Sequence, residues 1–126
     1  MKIRKEKIPV KMEGPGTVMR NLSGYGGMTV AFNELPAGTD FAPLLAGLKN
    51  DKCQCPHWGY MVDGEMIVLY NDGFEETISA GDAFYLPPGH TAKVTKDAKL
   101  LDFSPEKELE EVLAHVAKRI AEMGNA

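Results

Sequence analysis

Turn-forming residues interrupt the first hundred residues of this chain every several positions, and this spacing is the strongest constraint on its fold. They separate short apolar runs, of which Met28 to Phe32 and Met66 to Tyr70 are the clearest. The Asp-Gly pair at 63–64 lies between two apolar runs and predicts a hairpin, and further turns are predicted at 71–73 and 81–82. Short strands at such intervals indicate an all-β sandwich or barrel.

The last twenty residues have a helical pattern instead. Ser104, Pro105 and Glu106 form a helix start, with a capping hydroxyl, a first-turn proline and an acid. Apolar residues then recur on one helical face, at Leu109, Val112, Leu113, Val116 and Ile120. This predicts an amphipathic helix over about 105–123, lying across the outside of the sheet or packing on a partner subunit. His115 falls off the apolar stripe and is predicted to be a solvated surface residue.

Length and composition predict one ordinary globular domain over 1–126, with the barrel at about 8–103. The hydrophobic fraction is 44% and the net charge is −4, so no nucleic-acid partner is expected. No apolar run is long enough to span a bilayer, so no membrane association is expected. The basic start at 2–7 is not followed by the apolar region of a signal peptide, and the expected location is the cytoplasm.

Both cysteines and two of the three histidines lie between residues 53 and 90. In the run Cys-Gln-Cys-Pro-His, extended backbone would place Cys53, Cys55 and His57 on one face. Thiolates and imidazoles are borderline-soft ligands, so this arrangement predicts a metal pocket. A disulfide between the two cysteines is not expected, because a bridge from i to i+2 would strain the backbone.

A straight strand would hold Cys53 and His57 about 13 Å apart at Cα, too far for one ion, so the segment must bend. Pro56 can supply this bend. We therefore expect three ligands together with a water or substrate, rather than a closed four-ligand site. The alternatives are ordinary core packing of the thiols and histidines, or an empty polar cavity.

Residues 81–90, Gly-Asp-Ala-Phe-Tyr-Leu-Pro-Pro-Gly-His, resemble the second cupin motif, which is a glycine, five residues and then Pro-x-Gly. Gly64 resembles the glycine that ends the first motif. The segment from about Phe41 to Val94 is therefore similar to the cupins, and the run from Cys53 to Tyr60 resembles a signature of an uncharacterised single-domain subgroup. The resemblance implies a double-sheet jelly-roll (cupin) barrel, often with an interior metal ion, and a homodimer.

The cupin ligands are His-x-His, a glutamate and a further histidine, and this chain departs from that set. The glutamate position, seven residues before Gly64, holds His57, and the position of the last histidine holds Ala92, two residues after His90. The first two histidine positions fall, for the shorter and the longer motif spacing, on Asp51 and Cys53 or on Asn50 and Lys52.

The predicted metal ligands are thus Cys53, Cys55, His57 and His90. Thiolates favour Zn(II), with Fe(II), Ni(II) or copper as alternatives. The sequence does not fix the register of the strands. In each of three pairs of neighbouring residues, one member therefore faces the pocket: Tyr60 or Met61, Met66 or Ile67, and Phe84 or Tyr85. We assign Tyr60, Met66 and Phe84 to the substrate pocket.

Two classes of function are compatible with such a pocket. The first is a metal-dependent enzyme acting on a small organic acid, phenol or similar metabolite, for which only Asp51 and Glu65 are candidate inward carboxylates. The second is a non-catalytic binding or sensing module with a structural metal or an empty cavity. Redox sensing through the two thiols is a third interpretation. Apolar positions on the outer face of 66–70 need cover, which also favours a homodimer.

Overall fold

The computed structural model describes residues 1–124, so the last two residues of the predicted domain lie outside the described part. The strands are β1 (Val10–Gly14), β2 (Thr17–Ser23), β3 (Met28–Leu35), β4 (His57–Tyr70), β5 (Glu75–Ser79), β6 (Ala83–Leu86) and β7 (His90–Pro105). The helices are α1 (Ala42–Leu45) and α2 (Glu106–Gly124), and two short 3-10 turns cover Lys5–Lys7 and Lys49–Asp51.

The strands described in residues 1–124 form one antiparallel sheet in the order β1-β2-β3-β7-β4-β5, with β6 paired to the first part of β4. The long strands β4 and β7 pair from Trp58 and Phe103 at one end to Tyr70 and His90 at the other, so they form the spine of the sheet. This path of pairing is open, since β1 and β5 lie at its two ends. The prediction of a mostly β fold with a C-terminal helix is confirmed.

The predicted hairpin at 63–64 is wrong, because β4 continues through it. Gly64 has φ of +85° and lies where the β4–β7 register shifts repeatedly, between Met61 and Met66. The Asp-Gly pair therefore makes a bulge rather than a chain reversal, and pairing with β7 holds both halves in one strand. The turns predicted at 71–73 and 81–82 are confirmed.

This bulge reverses which residues of β4 face inward. Before it, His57 and Met61 face the interior and Tyr60 faces out; after it, Met66 and Val68 are the buried residues. The main core collects buried side chains from β3 to β7: Leu35, Met61, Met66, Val68, Ile78, Leu86, Val94, Ala98 and Leu100. The inward-facing residues of β4 are thus odd-numbered before the bulge and even-numbered after it.

Helix α2 folds back over one end of the sheet and packs on α1. Its Leu109 and Val112 are buried with Leu45 of α1 and with both cysteines. The prediction for His115 is wrong, since its Nε2 atom lies 2.7 Å from the carbonyl oxygen of Ala46 and ties α2 to the end of α1. Within residues 1–124 neither helix is long and apolar enough to cross a membrane.

Candidate metal centre

Three of the four predicted ligands come together in the interior. The ligand atoms of Cys53, His57 and His90 all lie within 4.8 Å of one another. The Sγ atom of Cys53 is 3.6 Å from Nε2 of His57, and the rings of His57 and His90 meet edge to face with centroids 5.0 Å apart. This is the one group of at least three such residues that residues 1–124 bring into this spacing.

A bend in the chain, rather than strand alternation, brings Cys53 to His57. Cys53 forms an isolated bridge with His90, and regular strand begins only at His57, after a bend at Cys55 and the Pro56 position. The backbone N–H of Cys53 donates to the carbonyl of His90 at 2.8 Å, and that of Gly89 donates to the carbonyl of Cys53 at 2.8 Å. These bonds fix the two ligand-bearing segments against each other.

Cys55 lies outside the group of three. It is fully buried beside Leu45, Leu109 and Val112, and its thiol donates to the carbonyl oxygen of Pro56 at 3.4 Å. The chain bends at Cys55, so the alternation of a regular strand does not continue from Cys53 through this residue. Burial raises the pKa of Cys55 to about 12, so this thiol is protonated at neutral pH.

The imidazole of His57 is oriented by a hydroxyl and a carboxyl on β7. Its Nδ1 atom is 2.6 Å from Oγ of Ser104, whose hydroxyl donates to Oδ1 of Asp102 at 3.3 Å. With that hydroxyl directed to Asp102, His57 donates through Nδ1 and presents the lone pair of Nε2 towards Cys53. Ser104 therefore does not act as the predicted helix cap. Its hydroxyl oxygen instead accepts the hydrogen bond from His57.

His90 is oriented in the same sense by the turn that precedes it. Its Nδ1 donates to the carbonyl oxygen of Pro87 at 2.7 Å, since a carbonyl can only accept. The lone pair on Nε2 of His90 therefore remains available for a metal ion. Gly89 has φ of +95°, the left-handed conformation that closes this Pro-Pro-Gly-His turn.

Burial sets the protonation of the three groups. It lowers the pKa of His57 to about 4, and with the added repulsion from His57 it lowers the pKa of His90 to about 4. Both histidines are therefore neutral at physiological pH, the form that binds metals. Burial also raises the pKa of Cys53 to about 11, so a metal must displace a proton from this thiol.

The donor set fits a metal of the zinc type. Zn–S bonds of about 2.3 Å and Zn–N bonds of about 2.0–2.1 Å at a tetrahedral angle place S and N roughly 3.6 Å apart. The observed separation of Cys53 Sγ and His57 Nε2 is the same, 3.6 Å. Both imidazoles also have the hydrogen-bonded Nδ1 that metal-ligating histidines show.

The group of three borders a cavity of about 180 Å³ between the inner face of the sheet and the two helices. The apolar part of its wall includes Met12, Met19, Leu35, Phe41, Leu100 and, from α2, Leu109 and Val112. Met66 and Phe84 line this cavity, whereas Tyr60 faces away from it and is 46% exposed. Met61, the alternative to Tyr60, is buried in the main core.

Sequence reasoning missed Asp102, a buried carboxyl that lines the cavity. Burial raises its pKa to about 7, against the bond from Ser104 that favours the charged form. The two carboxylates named from the sequence do not line this cavity. Asp51 accepts a hydrogen bond from the backbone of Gly47, and Glu65 accepts one from exposed Thr95. Alternation from the apolar Leu100 would have indicated that Asp102 and Ser104 face inward.

Residues 1–124 thus form an antiparallel sheet whose interior holds a cysteine and two histidines beside a cavity. Comparison with protein-family models and with curated proteins finds no match. Solved structures of similar fold include an RmlC-like cupin from Shewanella frigidimarina NCIMB 400, with 23% identity, TM-score 0.57 and coverage of 82% of this chain and 88% of that one.

KdgF and the polyketide cyclase RemF also have a similar fold. KdgF from Halomonas sp. has 21% identity and a TM-score of 0.55, covering 81% of this chain and 92% of its own. The polyketide cyclase RemF from Streptomyces resistomycificus has 16% identity and a TM-score of 0.57, covering 83% and 78%. The resemblance to cupins is therefore confirmed at the level of the fold.

Proposed function

We propose that this protein is a small cupin that binds one divalent metal ion through Cys53, His57 and His90 and accepts a small organic molecule beside it. The observation that carries this proposal is the convergence of three ligand atoms within 4.8 Å at the wall of a cavity. We further propose that the sheet curls into the double-sheet jelly roll of the cupins and that the protein works in the cytoplasm. The free, buried thiols support the location, because reducing compartments maintain them.

Zinc is the metal that we propose. One thiolate and two neutral imidazoles suit its preference for sulfur and nitrogen, and no ligand oxygen of the kind that Mg²⁺ or Mn²⁺ prefers belongs to the group of three. Three protein ligands leave a coordination position for water or substrate, as in catalytic zinc sites. When bound, the ion would act as a Lewis acid or lower the pKa of a bound water.

Asp102 favours the enzymatic form of this proposal. Its carboxyl lines the same cavity, and its raised pKa of about 7 suits a group that gives or takes a proton near neutral pH. The similarity in fold to a polyketide cyclase is compatible with chemistry on an organic molecule inside the sheet. The alternative is a binding or sensing module, which needs the cavity but not the carboxyl.

Metal analysis of the purified protein tests the proposal. We expect one zinc ion per chain after expression with ample metal, and loss of it in Cys53→Ser and His57→Ala. Cys55→Ser is the matched control, since Cys55 is equally buried but outside the group of three. Wild-type protein without stoichiometric metal, or equal loss of zinc in both cysteine variants, would contradict the proposal.

Spectroscopy of the cobalt-substituted protein distinguishes a metal-dependent enzyme from a non-catalytic binding or sensing module. An open coordination position should change its absorption bands when azide or another small ligand is added. Bands that do not respond would favour the non-catalytic module with a structural metal.

A homodimer is proposed on the evidence of the outer face of the sheet. Trp58 is opposite Tyr85 on β6 and Phe103 on β7, and all three side chains are at least 36% exposed. The rings of Trp58 and Tyr85 stack with centroids 5.2 Å apart. A cluster of large exposed apolar side chains is typical of a protein–protein contact.

Sedimentation velocity tests this association. Trp58→Asp should convert a dimer to a monomer, whereas Phe74→Asp, at a residue 59% exposed on another part of the surface, should leave the dimer intact. A monomeric wild type would overturn the proposal of a dimer without affecting that of a metal centre.

A further inference from the structure

Two asparagines occupy inward positions on the wall of the cavity that β2 and β3 form. Asn21 follows Met19 by two residues and Asn33 follows Ala31 by two residues, and all four residues line the cavity. Strand alternation therefore directs both amides to the same face as these apolar neighbours. Asparagine is depleted in strands, and a polar group that faces an apolar interior is costly unless it forms a hydrogen bond. Two such residues on adjacent strands point to a polar group of a ligand.

The two amides are close enough to bind one group together. Asn21 pairs with Ala31, and Asn33 lies two residues further along the strand of Ala31. This is the diagonal relation of an antiparallel pair, in which the two residues are about 7–8 Å apart at Cα and long side chains can still meet. Each amide carries two donor hydrogens and an acceptor oxygen. A hydroxyl group between them can therefore accept a hydrogen bond from one amide and donate one to the other.

One strand separates the amides from the strand that carries a candidate metal ligand. β7 lies between β3 and β4, so the strands of Asn33 and His57 are about 10 Å apart, twice the spacing of neighbouring strands. Leu100 of the intervening strand pairs with Asn33 and lines the cavity. A ligand that reaches from the metal centre to the amides therefore has two polar ends and an apolar middle.

The volume of the cavity limits this apolar middle to about one ring. A dry cavity of about 150 Å³ is large enough for benzene, and this one measures about 180 Å³. The difference leaves room for small substituents on the ring.

We propose that Asn21 and Asn33 determine the specificity of the cavity by binding a hydroxyl or carbonyl group at the end of a one-ring ligand that is remote from the metal centre. The other polar end of the ligand lies beside Cys53, His57 and His90, and apolar side chains surround the ring. This inference rests on the proposed function, because it requires that the cavity accept an organic molecule. It concerns the end of the ligand that no metal ion contacts, so it can be tested separately from the metal.

Two ligands of nearly the same shape, para-hydroxybenzyl alcohol and para-ethylphenol, test this assignment. They share the phenol ring and differ in a terminal hydroxyl in place of a methyl group. Calorimetric titration of the zinc-loaded protein gives the ratio of their affinities, and comparing this ratio between proteins cancels their difference in hydrophobicity. Asn33→Leu, which keeps the volume and removes the amide, should lower the ratio of alcohol to ethylphenol affinity about fivefold, the effect of one neutral hydrogen bond.

Met19→Leu is the matched control, since Met19 pairs with Asn33 and lines the same wall. It should change both affinities alike and leave the ratio at its wild-type value. Asn21→Leu repeats the test on the neighbouring strand and decides it if Asn33→Leu does not fold, as thermal unfolding would show.

An unchanged ratio in Asn33→Leu and Asn21→Leu would overturn the assignment, as would an equal fall of the ratio in Met19→Leu. The zinc content of each protein is measured separately. A wild type that holds zinc but binds neither ligand refutes the one-ring ligand alone, whereas a wild type that holds no zinc refutes the proposed function.

Discussion

The Nδ1 atom of His57 lies 2.6 Å from Oγ of Ser104, a residue 47 positions away on the neighbouring strand. This contact gives the histidine a fixed ring orientation and leaves Nε2 facing Cys53. Ser104 is itself fully buried and bonded to Asp102, so the ligand, its support and the carboxyl form one chain of hydrogen bonds. Such supporting contacts tune a metal site as much as the ligands do.

Removing the Ser104 hydroxyl should therefore weaken metal binding without removing a ligand. We expect Ser104→Ala to lower zinc affinity about tenfold or more, because His57 loses the partner that orients its ring. Competition with a chromophoric chelator measures the affinity. Ser79→Ala is the matched control, since Ser79 bonds to Glu65 away from the site; equal affinities in all three proteins would contradict the role of Ser104.

Zinc binding should release about one proton per ion at pH 7 to 8. The pKa of Cys53 is raised to about 11, so the thiol is protonated before the metal arrives and is a thiolate afterwards, whereas both histidines are already neutral. Calorimetry in buffers with different ionisation enthalpies counts the protons. Affinity should rise with pH across this range, and a release of zero protons would show that Cys53 is not a ligand.

Asp102 should destabilise the metal-free protein above pH 4. Its folded pKa of about 7 lies above its ordinary value of 3.8, so the folded state binds the extra proton and its stability falls as pH rises from about 4 to 7. We expect Asp102→Asn to have a free energy of unfolding higher than wild type at pH 8, by on the order of 3 kcal/mol, and nearly equal to it at pH 4.

Urea unfolding of both proteins at several pH values measures this difference. Subtracting the two curves cancels the opposite effect of His57 and His90, whose lowered pKa values make both proteins less stable as pH falls from 6.5 to 4. A difference between the two proteins that does not change with pH would contradict the burial of an ionisable Asp102.

Gly64 should be far less tolerant of a side chain than Gly73. Both have a left-handed backbone, with φ of +85° and +84°, so alanine costs about 1–2 kcal/mol of strain at either position. At Gly64 the new Cβ would also overlap the backbone of Asp97 and Ala98, whereas at Gly73 nothing lies within 4 Å. Gly64→Ala should therefore be the more destabilising by roughly 2 kcal/mol or more, as measured by urea unfolding; equal losses would argue against the bulge.

The closure of α2 over the cavity depends on two polar contacts with the segment around α1. His115 lies 2.7 Å from the carbonyl of Ala46, and Nε of Arg119 donates to the carbonyl of Pro43 at 3.1 Å. We expect His115→Ala to lower the free energy of unfolding by about 1 kcal/mol and to speed hydrogen exchange in α2. Lys118→Ala, on the same helix, is the control and should change neither; unchanged exchange in His115→Ala would contradict this anchoring role.

Local pattern was sufficient for most elements of the fold. Turn residues at 71–73 and 81–82 and the apolar spacing of Leu109 and Val112 depend on backbone geometry and side-chain periodicity over a few residues, and the structure has these elements where they were predicted. Cys53, His57 and His90 could also be named as one candidate group, because their residue types carry a specific chemistry wherever they meet.

What only the tertiary structure decided is which side chains face one another. The bulge at Gly64 reverses the parity of β4, so Met66 faces the cavity while Tyr60 does not. Strict alternation of inward and outward side chains cannot predict such a bulge, because the extra residue shifts the alternation by one position. The partnership of Ser104 with His57 likewise depends on pairing between strands that are distant in sequence, and a serine before Pro-Glu has the local pattern of a helix cap until that pairing is known.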